Sequence, residues 1–218
     1  EISACLVGSE MCIRDSFSAF NGPQLQQAIV FASKSKHTHI YMTATPPRHL
    51  LNAFSTKSII KLPARFHRYP LPVPNFKYFK LNRRRKQSQL LSIFKKQLIN
   101  QRYTLVFFNN IKEMHETYLT YKNDIDNLIC VHSEGALRFE KVEALRRGEH
   151  AIVFTTTILE RGFTMANLDV IVINAGTFEK ASLVQIAGRV GRKQVAPTGL
   201  VLFLHEGVSL SMIFAKKI

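Results

Sequence analysis

Short apolar runs alternate with amphipathic stretches along the second half of the chain. Five runs have the length and composition of buried strands: Thr104–Phe108, Leu128–His132, Ala151–Thr156, Val170–Asn174 and Leu200–Leu204. Most are separated by stretches with apolar residues at helical spacing, such as the stretch marked by Ile111, Met114 and Tyr118. Strands that alternate with helices predict right-handed crossovers and a parallel α/β sheet with helices on both faces.

The first half of the chain has a different pattern. A helix is predicted from Pro23 to Ser33, and a short buried strand is predicted at His39–Met42. Residues 46–80 contain most of the prolines and have no regular period, which indicates a linker between domains. A further helix is predicted from about Arg85 to Asn100.

Polar residues follow several of the predicted strands. They are Asn109-Asn110, His132-Ser133 and Thr155-Thr156-Thr157. In an open parallel sheet, the loops beyond the carboxyl ends of the strands meet at one edge, where ligands usually bind. The sequence therefore predicts a functional edge on this sheet.

The positive charge of the chain is concentrated in one segment. The formal net charge is +15, and Ser16–Lys112 contains 17 lysines and arginines but no acidic residue. Its densest part runs from Lys77 to Arg102, with Arg83, Arg84 and Arg85 at its centre, and is interleaved with aromatic residues. Phosphate attraction combined with stacking favours nucleic-acid binding, while a solvated helix face or contact with an anionic membrane are the alternatives.

Composition removes several other classes of protein. No uninterrupted apolar run is long enough to span a membrane. The three cysteines form no CxxC pair, so no metal site or disulfide framework is predicted, and a cytoplasmic location is expected. Residues 1–16 have no clear period, and 5–16 resembles a translated sequencing-adapter read-through, so we expect this segment to be non-native. A genuine short N-terminal strand is the alternative.

Gln-Ile-Ala-Gly-Arg-Val-Gly-Arg at 185–192 contains the strongest candidate chemistry. At helical spacing, one face would carry Gln185, Gly188, Arg189 and Arg192. The opposite stripe would pack on a core and consists of Leu183, Ile186, Ala187 and Val190. Two guanidiniums beside a glycine suit a polyphosphate, because the planar arginine fork matches phosphate oxygens. An amphipathic surface helix with solvated arginines is the alternative.

The threonine-rich segment Thr155–Thr164 is the second candidate. Hydroxyl groups and backbone N–H groups at a strand-to-helix junction can hold a nucleic-acid phosphate, and Gly162 allows a tight turn. A helix cap is the alternative for such a segment. The arginine motif that follows 20 residues later makes the phosphate site the more specific interpretation.

These motifs, in this order, resemble the second half of a superfamily-two helicase motor. Four segments are similar to the ComFA family of late-competence proteins: TATPPRHL (43–50), LPARFHRYPLPVP (62–74), TTTILERG (155–162) and LVQIAGRVGR (183–192). The resemblance implies a RecA-like second motor domain. It also implies an ATP-dependent DNA helicase or translocase that acts in the uptake of single-stranded DNA during transformation.

The resemblance also implies roles for individual residues. Catalytic arginines would be Arg189 and Arg192, and nucleotide-binding residues would be Gln185, Gly188, Gly162 and Thr164. DNA contacts would come from Thr155, Thr156, Asn109, His132 and Ser133, together with Arg83, Arg84 and Arg85 of the basic segment. Thr43, Ala44 and Thr45 match the motif that couples hydrolysis to domain movement.

Parts of a complete motor are absent from this sequence. It has no GxxxxGK[ST] phosphate loop, no Asp-Glu pair for magnesium and no four-cysteine zinc stretch. We therefore expect a C-terminal fragment that is inactive alone. Its divisions would be 1–16 (non-native), 17–47 (remnant of the first RecA-like domain), 48–84 (linker) and 85–218 (second RecA-like domain).

The expected cofactors are ATP and magnesium, held mainly by the missing first domain. The expected partners are single-stranded DNA and other competence proteins, with peripheral contact at the inner face of the cell membrane. Three alternatives stay open: another superfamily-two DNA helicase of primosomal or recombination type, a non-catalytic nucleic-acid-binding module, and a membrane-surface adaptor.

Overall fold

The strands of the second half form one parallel sheet. The computed structural model describes residues 11–14, 23, 26–27, 29–30, 34, 38–42, 52, 57–61, 65–132, 138–160 and 163–217. The chain divides into two compact units, residues 1–62 and 63–218. In the described part of the second unit, the strands are β3 (Asn75–Tyr78), β4 (Tyr103–Phe107), β5 (Ile129–Val131), β6 (Ile152–Thr155), β7 (Leu168–Val172) and β8 (Val201–His205). Their order in the sheet is β3-β8-β7-β4-β6-β5, and every pairing is parallel.

Helices cover both faces of this sheet. They are α1 (Ser88–Ile99), α2 (Ile111–Tyr121), α3 (Arg138–Arg146), α4 (Lys180–Ala187) and α5 (Leu210–Lys216). Short 3₁₀ turns follow β6 at Thr157–Glu160 and β7 at Ala175–Thr177. Among the described residues, no helix has both the length and the apolar character needed to cross a membrane.

Two buried clusters lie on opposite faces of the sheet. Successive residues of β4 alternate between them: Leu105 and Phe107 join one cluster, and Val106 joins the other. The first cluster is completed by α3, α4 and α5, and the second by α1 and α2. Because both faces are covered, the central strands β4, β6, β7 and β8 are buried almost throughout, which explains why they appear in the sequence as continuous apolar runs.

Strand β3 is an element that the periodicity analysis missed. It lies inside the segment predicted to be a proline-rich linker, immediately after Pro74, and pairs with β8 at the edge of the sheet. A proline at the start of an edge strand is tolerated, because the missing N–H faces outward from the ladder. The second unit therefore includes part of the predicted linker 48–84, while the predicted domain boundaries stay predictions.

The aromatic residues of the basic segment belong mostly to the core, contrary to the stacking role predicted for them. Phe79 and Phe94 are buried, and the ring of Phe76 stacks on Phe203 with centroids 5.8 Å apart. Tyr78, in contrast, is exposed. The sequence pattern was misleading because residues that are adjacent in a helix lie on different faces, so Phe94 is buried while Lys95 and Lys96 are exposed.

The first unit contains a short parallel pair of strands. Strand β1 (Met11–Arg14) pairs with β2 (Thr38–Tyr41), with Met11 opposite Thr38. Between the two strands, residues 23, 26–27, 29–30 and 34 are helical, in agreement with the predicted helix. Strand β1 lies within residues 1–16, for which a short native strand was the alternative interpretation, and the proposed non-native origin of that segment stays a prediction.

Candidate nucleotide and nucleic-acid site

The loops at the carboxyl edge of the sheet are joined by amide side chains. Asn110 caps the start of α2, and its Oδ1 accepts hydrogen bonds from the N–H groups of Lys112 (2.8 Å) and Glu113 (3.3 Å). The neighbouring Asn109 is exposed and donates through Nδ2 to the backbone oxygen of Thr177, at 3.2 Å. The loops after β4 and β7 therefore form one connected surface, which contains the predicted DNA contact Asn109.

His132 opens onto the same edge at the end of β5. A shallow depression there is lined by Asn109, Asn110, Ile111, Lys112, His115 and His132. The Nδ1 atom of His132 is buried and has no hydrogen-bond partner among the described residues. Lys112 and His115 were not predicted as site residues, although their positions after Asn110 at helical spacing could have indicated them.

The loop between β3 and α1 lies at this edge too, and we call its residues Lys80–Lys86 the basic loop. Arg83 forms an ion pair with Glu116 of α2, with 3.5 Å between guanidinium and carboxylate, and Lys86 pairs with Asp124 at 2.7 Å. Arg84 and Arg85 are exposed and form no ion pair with another described residue. The three predicted DNA-binding arginines therefore differ, since Arg83 is partly neutralised by α2.

Glu113 lies between the amide-rich edge and the basic loop. Its Oε1 accepts a hydrogen bond of 2.8 Å from Nδ2 of Asn174. Partial burial raises the pKa of this carboxyl above its ordinary value and outweighs the opposing influence of Arg83. The site therefore contains a carboxyl group that is less readily ionised than one in water.

The arginine motif differs from the predicted single helical face. Helix α4 ends at Ala187, and residues 188–191 form turns in which Gly191 has φ +66°. A Cβ atom at Gly191 would collide with the backbone oxygen of Pro197, so the turn requires glycine. Because the helix stops before the motif ends, Arg189 and Arg192 do not share a helix face.

The two arginines occupy different environments. Arg189 is 3% exposed, and its NH1 donates to the backbone oxygen of Phe163 at 3.0 Å. Its Nε donates to the oxygen of Gln185, at 3.3 Å. Arg192 is exposed, and its Nε donates to the oxygen of Gly188 at 3.1 Å. Arg189 thus connects α4 to the threonine-rich segment, whereas Arg192 lies at the surface. The apolar stripe around Ile186 is buried, as predicted.

Two residues of the 62–74 segment hold the end of this motif, and the sequence analysis assigned them no role. Arg65 donates through NH1 to the oxygen of Gly191 at 2.8 Å and through NH2 to the oxygen of Val190 at 2.7 Å. Nε2 of His67 lies 2.9 Å from the same oxygen of Gly191. The signal in the sequence was the LPARFHRYP segment itself, which carries basic residues that no periodic element explained.

The threonine-rich segment is only partly available to a ligand. The Thr155 side chain is fully buried, and its hydroxyl donates to the backbone oxygen of Val131 at 2.9 Å. This hydroxyl therefore forms a hydrogen bond within the sheet, whereas the sequence analysis predicted that Thr155 would contact DNA. Thr156 is half-buried and Thr164 is exposed.

Several predicted residues cannot be placed. Ser133, Gly162, Thr43, Ala44 and Thr45 lie outside the described residues. Within the described part of the chain, no group of three or more His, Cys, Asp and Glu side chains could hold a metal ion.

Comparisons with known proteins show a family match and two curated relatives. The family described as Helicase conserved C-terminal domain matches residues 76–194. Competence protein ComFA of Bacillus subtilis (strain 168) is 32% identical over 212 residues, which cover 93% of this chain and 46% of that protein. Competence protein ComFA of Streptococcus pneumoniae is 34% identical over 210 residues, which cover 91% of this chain and 48% of that protein. The chain thus spans about half the length of the curated relatives it matches, and the predicted resemblance to ComFA proteins is confirmed.

The fold is also found among solved structures. S. cerevisiae Dbp5 bound to RNA and ADP BeF3 superimposes with a TM-score of 0.67 and 15% identity, covering 95% of this chain and 55% of that one. The L327V variant of Dbp5, bound to the same ligands, gives the same TM-score at 14% identity. At these identities the likeness concerns the fold alone, and it confirms the predicted RecA-like parallel sheet.

Proposed function

The chain belongs to the helicase conserved C-terminal domain family, and from this premise we propose that it contains the second motor domain of an ATP-dependent DNA helicase or translocase. We place its action in the uptake of single-stranded DNA during competence, with other competence proteins at the inner face of the cell membrane. The ComFA relatives support this assignment.

One observation carries the proposal. The arginine motif and the threonine-rich segment are joined directly, because buried Arg189 donates to the backbone oxygen of Phe163, which lies within that segment. A displacement at one of them therefore reaches the other through a hydrogen bond of 3.0 Å. A motor in which the bound nucleotide changes the affinity for DNA needs a connection of this kind between the two motifs.

The nucleotide side of the proposal depends on the surface arginine. Arg192 presents a permanent positive charge that is accessible from outside, and Gln185 is half-buried in the last turn of α4. These groups fit the phosphates of ATP, where charge develops during hydrolysis. Bound ATP would supply the phosphoryl group that is transferred. We assign the phosphate loop and the magnesium ligands to the other motor domain.

The DNA side of the proposal depends on the carboxyl edge. Asn109, Lys112 and His132 line its depression, and Arg84 and Arg85 extend the positive surface along the basic loop. Amide and cationic groups without a deep pocket suit the backbone of a single strand, which is contacted mainly through its phosphates.

The catalytic assignment can be tested in a hybrid motor. This chain would replace the matched region of the Bacillus subtilis relative, and DNA-stimulated phosphate release would be measured at steady state. Arg192→Ala should lower turnover about 10³-fold or more, as expected for an arginine that stabilises the transferred phosphoryl group. Arg192→Lys should restore little, because an ammonium group cannot form the planar fork.

Lys193 provides the matched control. It is the next residue, exposed and equally charged, so Lys193→Ala should leave turnover nearly unchanged. DNA affinity without nucleotide should be the same in all variants, and the 218-residue chain alone should release no phosphate above background. Retention of most of the turnover by Arg192→Ala would refute the catalytic role and favour a non-catalytic nucleic-acid-binding module.

A further inference from the structure

Arg65 and His67 enclose the carboxyl-terminal end of the arginine motif. The Arg65 guanidinium reaches three backbone oxygens, at 2.8 Å from Gly191, 2.7 Å from Val190 and 3.3 Å from Gly188. The N–H of Tyr69 donates to Nδ1 of His67 at 3.2 Å, so the ring proton lies on Nε2, which donates to Gly191. Together, the two side chains bind backbone oxygens of the turn that follows α4.

This arrangement fixes the chain direction just before Arg192. Hydrogen bonds from a charged guanidinium to these turn oxygens are stronger than bonds between neutral groups. The turn also requires glycine at position 191, since a Cβ would contact the Arg65 guanidinium at 3.1 Å and collide with Pro197. Arg65 and His67 therefore stabilise the backbone conformation of the turn that immediately precedes Arg192.

Arg65 also competes directly with Arg192. Both guanidiniums donate to the same oxygen of Gly188, Arg65 at 3.3 Å and Arg192 at 3.1 Å, so two positive charges meet at one acceptor. Partial burial and the nearby charge of Arg192 lower the pKa of Arg65 from its ordinary value. Among the described residues, no carboxylate lies within ion-pair distance of Arg65. The two positive charges repel each other, and this repulsion opposes a close attachment of Arg192 to Gly188.

We propose that Arg65 and His67 are positioning residues for Arg192, which hold the 188–191 turn and keep the Arg192 guanidinium available to the phosphates of a nucleotide. The proposal rests on the nucleotide role assigned to Arg192 above. A purely structural cap would stabilise the fold without changing how readily Arg192 meets an anion. The two roles therefore differ in what they predict for anion binding at Arg192.

The test uses the 218-residue chain, labelled with ¹⁵N, with ATP as the probe. The Nε–H signal of Arg192 would be identified by its loss in Arg192→Lys, so that binding at this residue is separated from binding elsewhere on a basic protein. In Arg65→Ala, the ATP concentration that half-saturates the change in this signal should rise about tenfold, in the range expected for lost charge-assisted hydrogen bonds. Arg65→Lys should recover only part of the loss, since one ammonium group cannot replace the planar fork.

Two further variants keep the test decisive. Arg68→Gln removes an exposed positive charge from the same segment and should leave the ATP response unchanged. His67→Phe removes one donor but retains a ring, and should raise the half-saturating concentration about threefold, so it serves even if Arg65→Ala does not fold.

The possible failures are distinguishable. If the Arg192 signal of the unmodified chain does not respond to ATP, the nucleotide role of Arg192 is wrong. If it responds, but equally in the unmodified chain, Arg65→Ala and His67→Phe, the positioning role alone is overturned. A lower melting temperature with an unchanged ATP response would likewise leave Arg65 as a structural cap only.

Discussion

The arginine motif at the end of α4 and the basic loop are both rich in arginine, but they differ in how their arginine side chains are buried and hydrogen-bonded. In the motif, Arg189 is buried and hydrogen-bonded, and the backbone leading to Arg192 is held by Arg65 and His67. In the basic loop, the arginines are exposed. The arginine motif therefore holds a positive charge at a defined position, whereas the basic loop provides a high density of exposed positive charge.

This difference corresponds to two kinds of phosphate chemistry. Stabilisation of a reacting phosphoryl group requires a donor held at a fixed place, because the interaction must strengthen as the reaction proceeds. Attraction of a DNA backbone requires only a high local density of positive charge, and it weakens as salt increases. The comparison therefore predicts that substitutions in the motif change stability or turnover, whereas substitutions in the loop change affinity and its dependence on salt.

The largest effect on stability is expected at Arg189. Arg189→Ala removes buried hydrogen bonds to Phe163 and Gln185 and should lower the free energy of unfolding by about 2–4 kcal/mol. For a chain of this size, the melting temperature should fall by roughly 5–15 °C, which calorimetry would measure. Arg192→Ala is the matched control, and because Arg192 is exposed its effect should stay within about 0.5 kcal/mol. Equal losses in the two variants would remove the distinction between a buried arginine and a surface arginine.

The basic loop should produce an intermediate effect, visible in the salt dependence of DNA binding. Replacing Arg84 and Arg85 by Gln should flatten the plot of log K against log salt by about 1.4 for single-stranded DNA, since each lost phosphate contact contributes about 0.7. The matched control replaces Arg83 and Lys86, which have acidic partners on α2 and just after it, and should flatten the slope less. The slope would be obtained from fluorescence anisotropy titrations over a series of salt concentrations. If the paired residues had the larger effect, the ion pairs would not limit their contact with DNA.

The smallest effect concerns Glu113, the carboxyl group beside the basic loop. Its pKa is raised in the folded state, so the folded chain holds the proton more tightly and loses stability as pH rises through that raised pKa. Glu113→Gln keeps an acceptor for Asn174 but cannot ionise. Its melting temperature relative to the unmodified chain should therefore be higher at about pH 7 than at about pH 4. The difference should be only about 1–2 °C, because the side chain is partly solvated. The same difference at both pH values would mean that Glu113 does not titrate in this range.

The sequence by itself determined the parallel sheet of the second unit. The five apolar runs became β4 to β8 with ends shifted by up to two residues, because a strand covered on both faces must be apolar along its length. The alternation with helices also placed Asn109 and His132 beyond strand ends, and those ends meet at one edge in any parallel sheet. Edge strand β3 was missed, because it is short, follows a proline and leaves three of its four residues exposed, so it forms no continuous apolar run.

Tertiary structure decided which polar groups are available. Thr155 belongs to the same motif as Thr156, yet its hydroxyl is used by Val131 of the neighbouring strand. Arg83 and Arg84 are adjacent in the sequence, but only Arg83 meets a glutamate of α2. Arg65 lies more than 120 residues from Gly191, to which it donates. Hydrogen bonds and ion pairs depend on which atoms meet after folding, whereas periodicity in the sequence records only which side of an element is buried. The sequence therefore predicted the sheet and its functional edge, but it did not predict the hydrogen bonds and ion pairs of each arginine.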